Sequence, residues 1–441
     1  MTFRNMTLQS FLLKYKVEFL LVLVLIFGIC IRLYRLEIPD SYYFDEVYFA
    51  FTAQEMTKGN RAAWESTSKA PEEMAYEWTH PPLGKEISAV GILIFGDNTF
   101  GWRFFQAIFG GLGILFIYLL GKNLFESKGA GLIAALLFGF ESFLFVLSRI
   151  TMVDIFIADF LILASLFIVK YARTRRNLFL ILTGFFCGAG MSVKWSGVYI
   201  TEYLAGVALL LMYYFEVYAA KSRDKEFIAS VIRILPRITL AFIVVPLLVY
   251  MATYLPFFYH GNSIRDFFIL QGNMLGYHEG VTETHPYQSS WWQWPLMLRP
   301  VYLYFEDLGQ GWRAHIYLMG NIFIWYTGIL FLILGIVQAV RKEAPSLIFA
   351  VLSVFAYWLP WAFSPRKIVF LYHFLPSLIF LLLVITYFLN ELWNYSKRGK
   401  VLVIIYFCIA GGMFFYFYPV LAAVPMRELD IDRYMWLSTW R

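Results

Sequence analysis

Eleven apolar runs govern what this chain can become. They are Val17–Leu33, Gly101–Gly121, Gly129–Leu147, Ile155–Lys170, Leu178–Val193, Ser196–Phe215, Ile238–Leu255, Ile316–Val340, Ser346–Phe363, Ile368–Leu389 and Val401–Pro419. Most approach the roughly 18–20 residues that carry a helix across a hydrocarbon core. The length of 441 residues would otherwise suggest two or three soluble domains. Only 15% of the residues are charged and 60% are hydrophobic, whereas soluble chains carry roughly 25% charge. The expected class is an all-α polytopic membrane protein with about eleven transmembrane helices, organised as a single domain over residues 1–441.

Charge then sets the expected orientation. Basic clusters fall at Lys122/Lys128, Lys170/Arg173/Arg175/Arg176, Lys221/Arg223/Lys225/Arg233/Arg237, Arg341/Lys342 and Lys397/Arg398/Lys400. With these spans every cluster lies on the side of the N-terminus, so positive-inside logic puts that terminus in the cytoplasm and the C-terminus outside. The net charge of +6 is therefore topology rather than a nucleic-acid signal. Arg4, Lys14 and Lys16 precede the first run, and no A-x-A-like site follows it, which reads as a retained signal anchor. Cys30, Cys187 and Cys408 lie inside apolar runs, where they act as small hydrophobes.

Two long loops face the extracytoplasmic side. The first, residues 37–100, is acidic up to Glu86 and contains Glu86–Phe95, too short to span and expected to lie in the interface. The second, residues 256–315, is rich in Trp, Tyr, Gly and His. Loops of this length inside a compact domain are usually functional, and all six histidines lie on or near this face.

Five motifs there could carry chemistry. Asp45-Glu46 follows two tyrosines and a phenylalanine; burial and mutual repulsion at the membrane boundary would raise a carboxylate pKa towards that of a base. His80-Pro-Pro-Leu-Gly-Lys85 has its backbone fixed by proline. Arg149 and Asp154 sit on a short connection, while Arg103 near the outer end of its helix and Lys194-Trp195 interrupting another span add positive charge. Trp291, Trp292 and Trp294 precede Arg299, and Arg366 precedes Tyr372-His373. Each motif alone has a plainer reading: a solvated acidic loop, a turn, a capping ion pair, a snorkelling cation or an aromatic belt. Together they place carboxylates, cations and stacking rings on one face. That combination suits glycosyl transfer from a lipid-phosphate carrier. A metal site from Asp45, Glu46, Asp154 and a histidine lacks supporting spacing, so no metal ligand is assigned; a divalent cation remains an alternative cofactor.

These stretches, in this order, make the chain similar to the protein O-mannosyltransferase family of type C glycosyltransferases. The resemblance rests on Phe44-Asp45-Glu46, His80 to Lys85, Ser148-Arg149 through Asp154, Lys194-Trp195, Ser289 to Pro300 and Arg366 through Pro376. It implies that Asp45 is the catalytic carboxylate, with Glu46 organising the acceptor site. It also implies a donor site drawn from Arg366, Lys85, Arg103, Lys194, His80, Arg149, Asp154, Trp292, Arg299, Tyr372 and His373. Eukaryotic members carry a β-trefoil domain in the second loop, and residues 256–315 are too short for it, so the resemblance is to the compact prokaryotic type. The expected reaction moves mannose from a polyprenyl-phosphate carrier to Ser/Thr hydroxyls of exported or membrane proteins, with inversion, at the cell membrane; no nucleic acid is involved. The alternatives are a type C transferase moving another sugar, such as aminoarabinose, to a lipid or glycan, and a transporter or lipid flippase. Charge gathered at one face and the lack of internal repeats weigh against transport.

Overall fold

The computed structural model describes residues 15–218, 224–280, 284–342, 344–364 and 366–441. Arg4, Lys14, Lys221 and Arg223 of the basic clusters lie outside the described residues, as do the side chains of Lys225 and Lys342.

The helices in chain order are α1 (Lys16–Leu33), α2 (Glu46–Thr57), α3 (Leu83–Phe95), α4 (Thr99–Leu124), α5 (Lys128–Phe140), α6 (Ser142–Leu147), α7 (Asp154–Thr174), α8 (Asn177–Val193) and α9 (Gly197–Tyr213). They continue as α10 (Asp224–Thr239), α11 (Val245–Thr253), α12 (Leu255–Tyr259), α13 (Ile264–Gly280), α14 (Ile322–Lys342), α15 (Pro345–Trp358), α16 (Leu375–Tyr395) and α17 (Lys397–Phe417). Among the described residues, eight helical segments are long and apolar enough to cross a membrane. The other three expected spans are also helical. α1 has sufficient length but carries Lys16, Glu18 and Arg32; α8 is one residue shorter; and Gly129–Leu147 breaks in two at Glu141.

That break has a cause in side-chain chemistry. Glu141 caps α6 by accepting from the backbone N–H groups of Phe143 (2.6 Å) and Leu144 (3.1 Å). Its other oxygen accepts from the N–H of Asn321 at 2.8 Å. Helix N-termini leave such donors unpaired, and a carboxylate satisfies them.

Burial ranks the helices. Within the most apolar stretch of each, 83% of the residues in the segment containing α16 and 72% in α7 are buried, against 28% for the segments containing α9 and α17. The first pair forms the centre, and the outer faces of the second pair meet lipid. Small residues let helices approach closely, as in other membrane interfaces. A Cβ on Gly184 of α8 would lie 1.6 Å from the carbonyl oxygen of Ala241, just before α11.

The second loop contains what apolarity could not show. β1 (Val301–Gly309) pairs antiparallel with β2 (Trp312–Leu318), and β3 (Met426–Arg427) extends the sheet from the C-terminal segment. The span expected to begin at Ile316 therefore starts in β2; its helix begins at Ile322. α13 buries Phe267, Leu270 and Met274 in a cluster with Phe51, Trp64 and Tyr76 of the first loop.

Candidate active site

α2 begins at the first acidic motif. Asp45 is its N-cap residue, and its side chain makes no capping hydrogen bond. The carboxylate is thus held at a helix N-terminus, where partial positive charge favours an anion, yet it is not consumed by its own backbone. Phe44 before it has φ of +51°, a conformation that costs a non-glycine residue about 1–3 kcal/mol and clusters at functional sites. The Phe44 ring lies 6.3 Å from that of His285 in the second loop.

Asp45 lines a cavity of about 320 Å³ with Tyr48, Glu77, Trp78, His80, Asp154, Lys194, Tyr277, Arg366, Phe370, Tyr372 and His373. Burial pushes the Asp45 carboxyl up to about 7, with the negative charges of Asp154 and Glu77 adding to the rise and Lys194 opposing it. Such a group exchanges its proton near neutral pH, as a general base must.

Lys194 and Arg366 supply positive charge to this cavity. The Lys194 ammonium lies 3.2 Å from Asp154 Oδ1 and 5.2 Å from the Tyr372 ring centroid. Three buried polar atoms here, Asp154 Oδ2, His278 Nδ1 and Arg366 Nε, find no hydrogen-bond partner among the described residues. Buried polar groups are nearly always paired, and Asp154 and Arg366 line the cavity, so their free atoms are poised to meet a ligand. Burial, reinforced by His80 and Arg366, pushes His278 down to about 4, so it is neutral at pH 7.

A second cavity, about 820 Å³ and mostly apolar, runs from this site along Ile157, Tyr199, Ile200, Tyr203, Leu352, Phe355 and Tyr357. Asp154, Lys194, Tyr372 and His373 line both cavities. A polar chamber and a membrane-depth groove therefore meet at a cation.

The remaining expected site residues fall into two groups. His80 lines the chamber, its Nδ1 2.8 Å from Glu77 Oε1. The others support it from behind or lie elsewhere. Glu46 is fully buried and accepts from Arg103 Nε (2.8 Å), Arg103 Nη2 (2.7 Å) and the N–H of Thr151 (2.9 Å). Arg103 also donates to the carbonyls of Leu36, Pro39 and Ser41. The Lys85 ammonium donates to Glu77 Oε2 at 2.6 Å and to the His80 carbonyl at 2.9 Å. Arg149 binds the carbonyls of Arg32, Tyr34 and Arg35 at the end of α1. Lys85, Arg103 and Arg149, expected in the donor site, thus each donate to internal acceptors and line neither cavity. Trp292 is half-exposed and lines neither cavity. Arg299 packs on Tyr287 and donates to the Pro286 carbonyl; the indole that supports the site is Trp294, stacked on His373.

Glu77 is the residue that the motif reading missed. Burial would raise its carboxyl, but Lys85 and His80 outweigh burial and hold it well below the usual carboxylate range. The signal was its spacing: a glutamate three residues before His80 and eight before Lys85. Among the described residues, no group of three or more His, Cys, Asp or Glu is arranged to hold a metal ion.

Comparison with known proteins agrees with this architecture. Residues 22–262 match the family model described as dolichyl-phosphate-mannose-protein mannosyltransferase, and residues 263–440 match the C-terminal four-transmembrane region of protein O-mannosyltransferase. Polyprenol-phosphate-mannose–protein mannosyltransferases of Corynebacterium glutamicum and Mycobacterium tuberculosis are each 25% identical over 82% of this chain and 81% of their own length. The Saccharomyces cerevisiae Pmt1-Pmt2 complex bound to its sugar donor superposes with a TM-score of 0.82 at 15% identity, covering 97% of this chain and 93% of that one. ArnT of Cupriavidus metallidurans bound to undecaprenyl phosphate gives 0.58 at 16% identity, over 92% and 65%. On the strength of the family model that spans more than half of it, the chain belongs to the dolichyl-phosphate-mannose–protein mannosyltransferase family.

Proposed function

We propose that this glycosyltransferase moves mannose from a polyprenyl-phosphate carrier to a Ser or Thr hydroxyl of a protein, on the extracytoplasmic side of the cell membrane. The observation that carries the reading is the junction of the two cavities: the Asp45 carboxylate shares a chamber with Lys194 and Arg366 where an apolar groove ends. An anionic headgroup with a long apolar tail fits that junction. The names of the bacterial relatives, which cite a polyprenol-phosphate-mannose donor and a protein acceptor, support it.

In this mechanism Asp45 accepts the hydroxyl proton as the acceptor oxygen attacks the anomeric carbon. The bond from that carbon to the phosphate oxygen breaks, and positive charge spreads over the sugar ring in the transition state. The phosphate leaves as an anion, neutralised by Lys194 and Arg366 without a proton donor. One displacement on the face opposite the phosphate inverts the anomeric centre. Glu46 acts as a positioning residue: through Arg103 and Thr151 it fixes the start of α2, and hence Asp45.

The test is to incubate the purified chain with radiolabelled polyprenyl-phosphate mannose and a Ser/Thr peptide, with and without a chelator. Label is expected in the peptide, released by β-elimination. Label in added lipid or glycan acceptors alone would overturn the protein acceptor. No transfer to any acceptor would overturn the reading.

A further inference from the structure

The apolar groove does not end at mid-membrane. A further cavity of about 560 Å³ continues it towards the opposite end of the helices, lined by Ile168, Val169, Val207, Leu211, Ile348 and Phe349 among others. Tyr203 and Leu352 line both. α7, α9 and α15 form walls of each, and on α9 the lining positions 199/200, 203, 207 and 210/211 make one helical face. On α7 the outer cavity is lined by Asp154 and Ile157 and the inner one by Ile168 to Arg173, and the two ends are about 28 Å apart at 1.5 Å per residue. That nearly equals the roughly 30 Å hydrocarbon thickness.

Tyr203 narrows the passage between the two. Its hydroxyl lies 2.8 Å from Ser353 Oγ, which in turn donates to the Phe349 carbonyl at 2.7 Å. Its ring packs edge-on against Tyr357 and stacks on Phe349. The ring is thereby fixed by contacts to α15 in the wall that the two cavities share.

We propose that the inner cavity takes the distal isoprene units of the carrier, and that Tyr203 marks the boundary past which chain length is sensed. The inference rests on the proposed lipid-phosphate donor and adds a selection for long polyprenyl chains. Continuity favours this occupant over a bilayer phospholipid. So does the inner end: among the described residues Arg173 is the only cation lining it, and it is engaged by Glu126 and by the Leu124 carbonyl at 3.1 Å.

The experiment uses the full chain in lipid nanodiscs with farnesyl and undecaprenyl phosphates, each bearing a diazirine at the tail end. Labelled peptides are mapped by mass spectrometry. The short probe is expected to label near Tyr199 and Phe355, and the long probe near Val207, Leu211 or Ile348. Excess undecaprenyl phosphate should remove the inner labelling, and excess phosphatidylglycerol should not. Long-probe labelling confined to the outer cavity, or displaced by phosphatidylglycerol, overturns the proposal. A kinetic arm compares mannosylated farnesyl and undecaprenyl donors. Val207→Trp, which fills the inner cavity, should lower the ratio of undecaprenyl to farnesyl kcat/KM at least tenfold; an unchanged ratio overturns it. The labelling uses the unaltered chain, so it decides the matter even where the variant fails to fold. Absence of transfer from both donors would overturn the mannosyl-transfer reading instead, and the labelling would still judge the cavity.

Discussion

At the scale of single residues, the carboxylates of the first loop do different work because their surroundings differ. Asp45 is raised to about 7 by burial, so its ionised form is lost as pH falls through that value. With Asp45 as base, kcat/KM should rise with pH through about 7 and flatten above it, dropping about tenfold per unit below. A flat profile between pH 5 and 8 would exclude it. Asp45→Asn should lower transfer by about 10²–10⁴-fold while keeping its fold. The raised pKa means that ionising Asp45 costs the folded state stability between about pH 4 and 7. Asn carries no such charge, so at pH 8 the inactive variant should melt no lower than the parent. Glu46 and Arg103 are a fully buried pair, and removing one partner of such a pair costs about 3–5 kcal/mol. Arg103→Met should therefore lower the melting temperature in detergent, and adding back donor should not restore it. Asp45 and Glu46 were visible as a motif. The roles of Lys85 and Arg103 were not: a cation at the right depth in sequence looks free until its partner, eight or 57 positions away, is known.

At the scale of elements, helix contacts turn on small residues. Gly184 meets a backbone carbonyl rather than a flexible side chain, so added bulk must push α8 away from the start of α11. Gly184→Val is expected to destabilise the protein by several kcal/mol, read as a lower melting temperature, whereas Gly206→Ala, facing open space, should be neutral. Apolar run length made nearly every span legible in the sequence, because backbone satisfaction in lipid leaves few options. The β1–β2 hairpin was not legible. Its Tyr, Phe and Trp residues also suit an interfacial belt, and its pairing depends on a register that hydropathy does not carry. The break at Glu141 was hidden likewise, since a single acidic residue within an apolar run is read as a tolerated charge until its three N–H donors are seen.

At the scale of the whole molecule, the ends of the helices differ in character. The chamber gathers residues from both long loops and from the connections at Met152, Lys194 and Arg366. The opposite end carries Lys128 paired with Glu18, Arg173 with Glu126 and Arg237 with Glu216. Positive-inside logic predicts that the chamber faces outside. With the three native cysteines replaced by alanine, Leu429→Cys should react with a membrane-impermeant maleimide on intact cells. Arg175→Cys should react only after permeabilisation, and the reverse pattern would invert the topology.

The two cavities that share Asp154, Lys194, Tyr372 and His373 are reached by different routes. The groove is flanked by the exposed apolar side chains of Tyr199, Leu352 and Phe363, so it opens sideways into lipid, whereas the chamber is walled by loops. A spent carrier can therefore slide out through the plane of the bilayer without disturbing whatever occupies the loop side. A polypeptide resting there could be served by successive carriers exchanged beneath it, and clusters of neighbouring hydroxyls could be modified in a single visit.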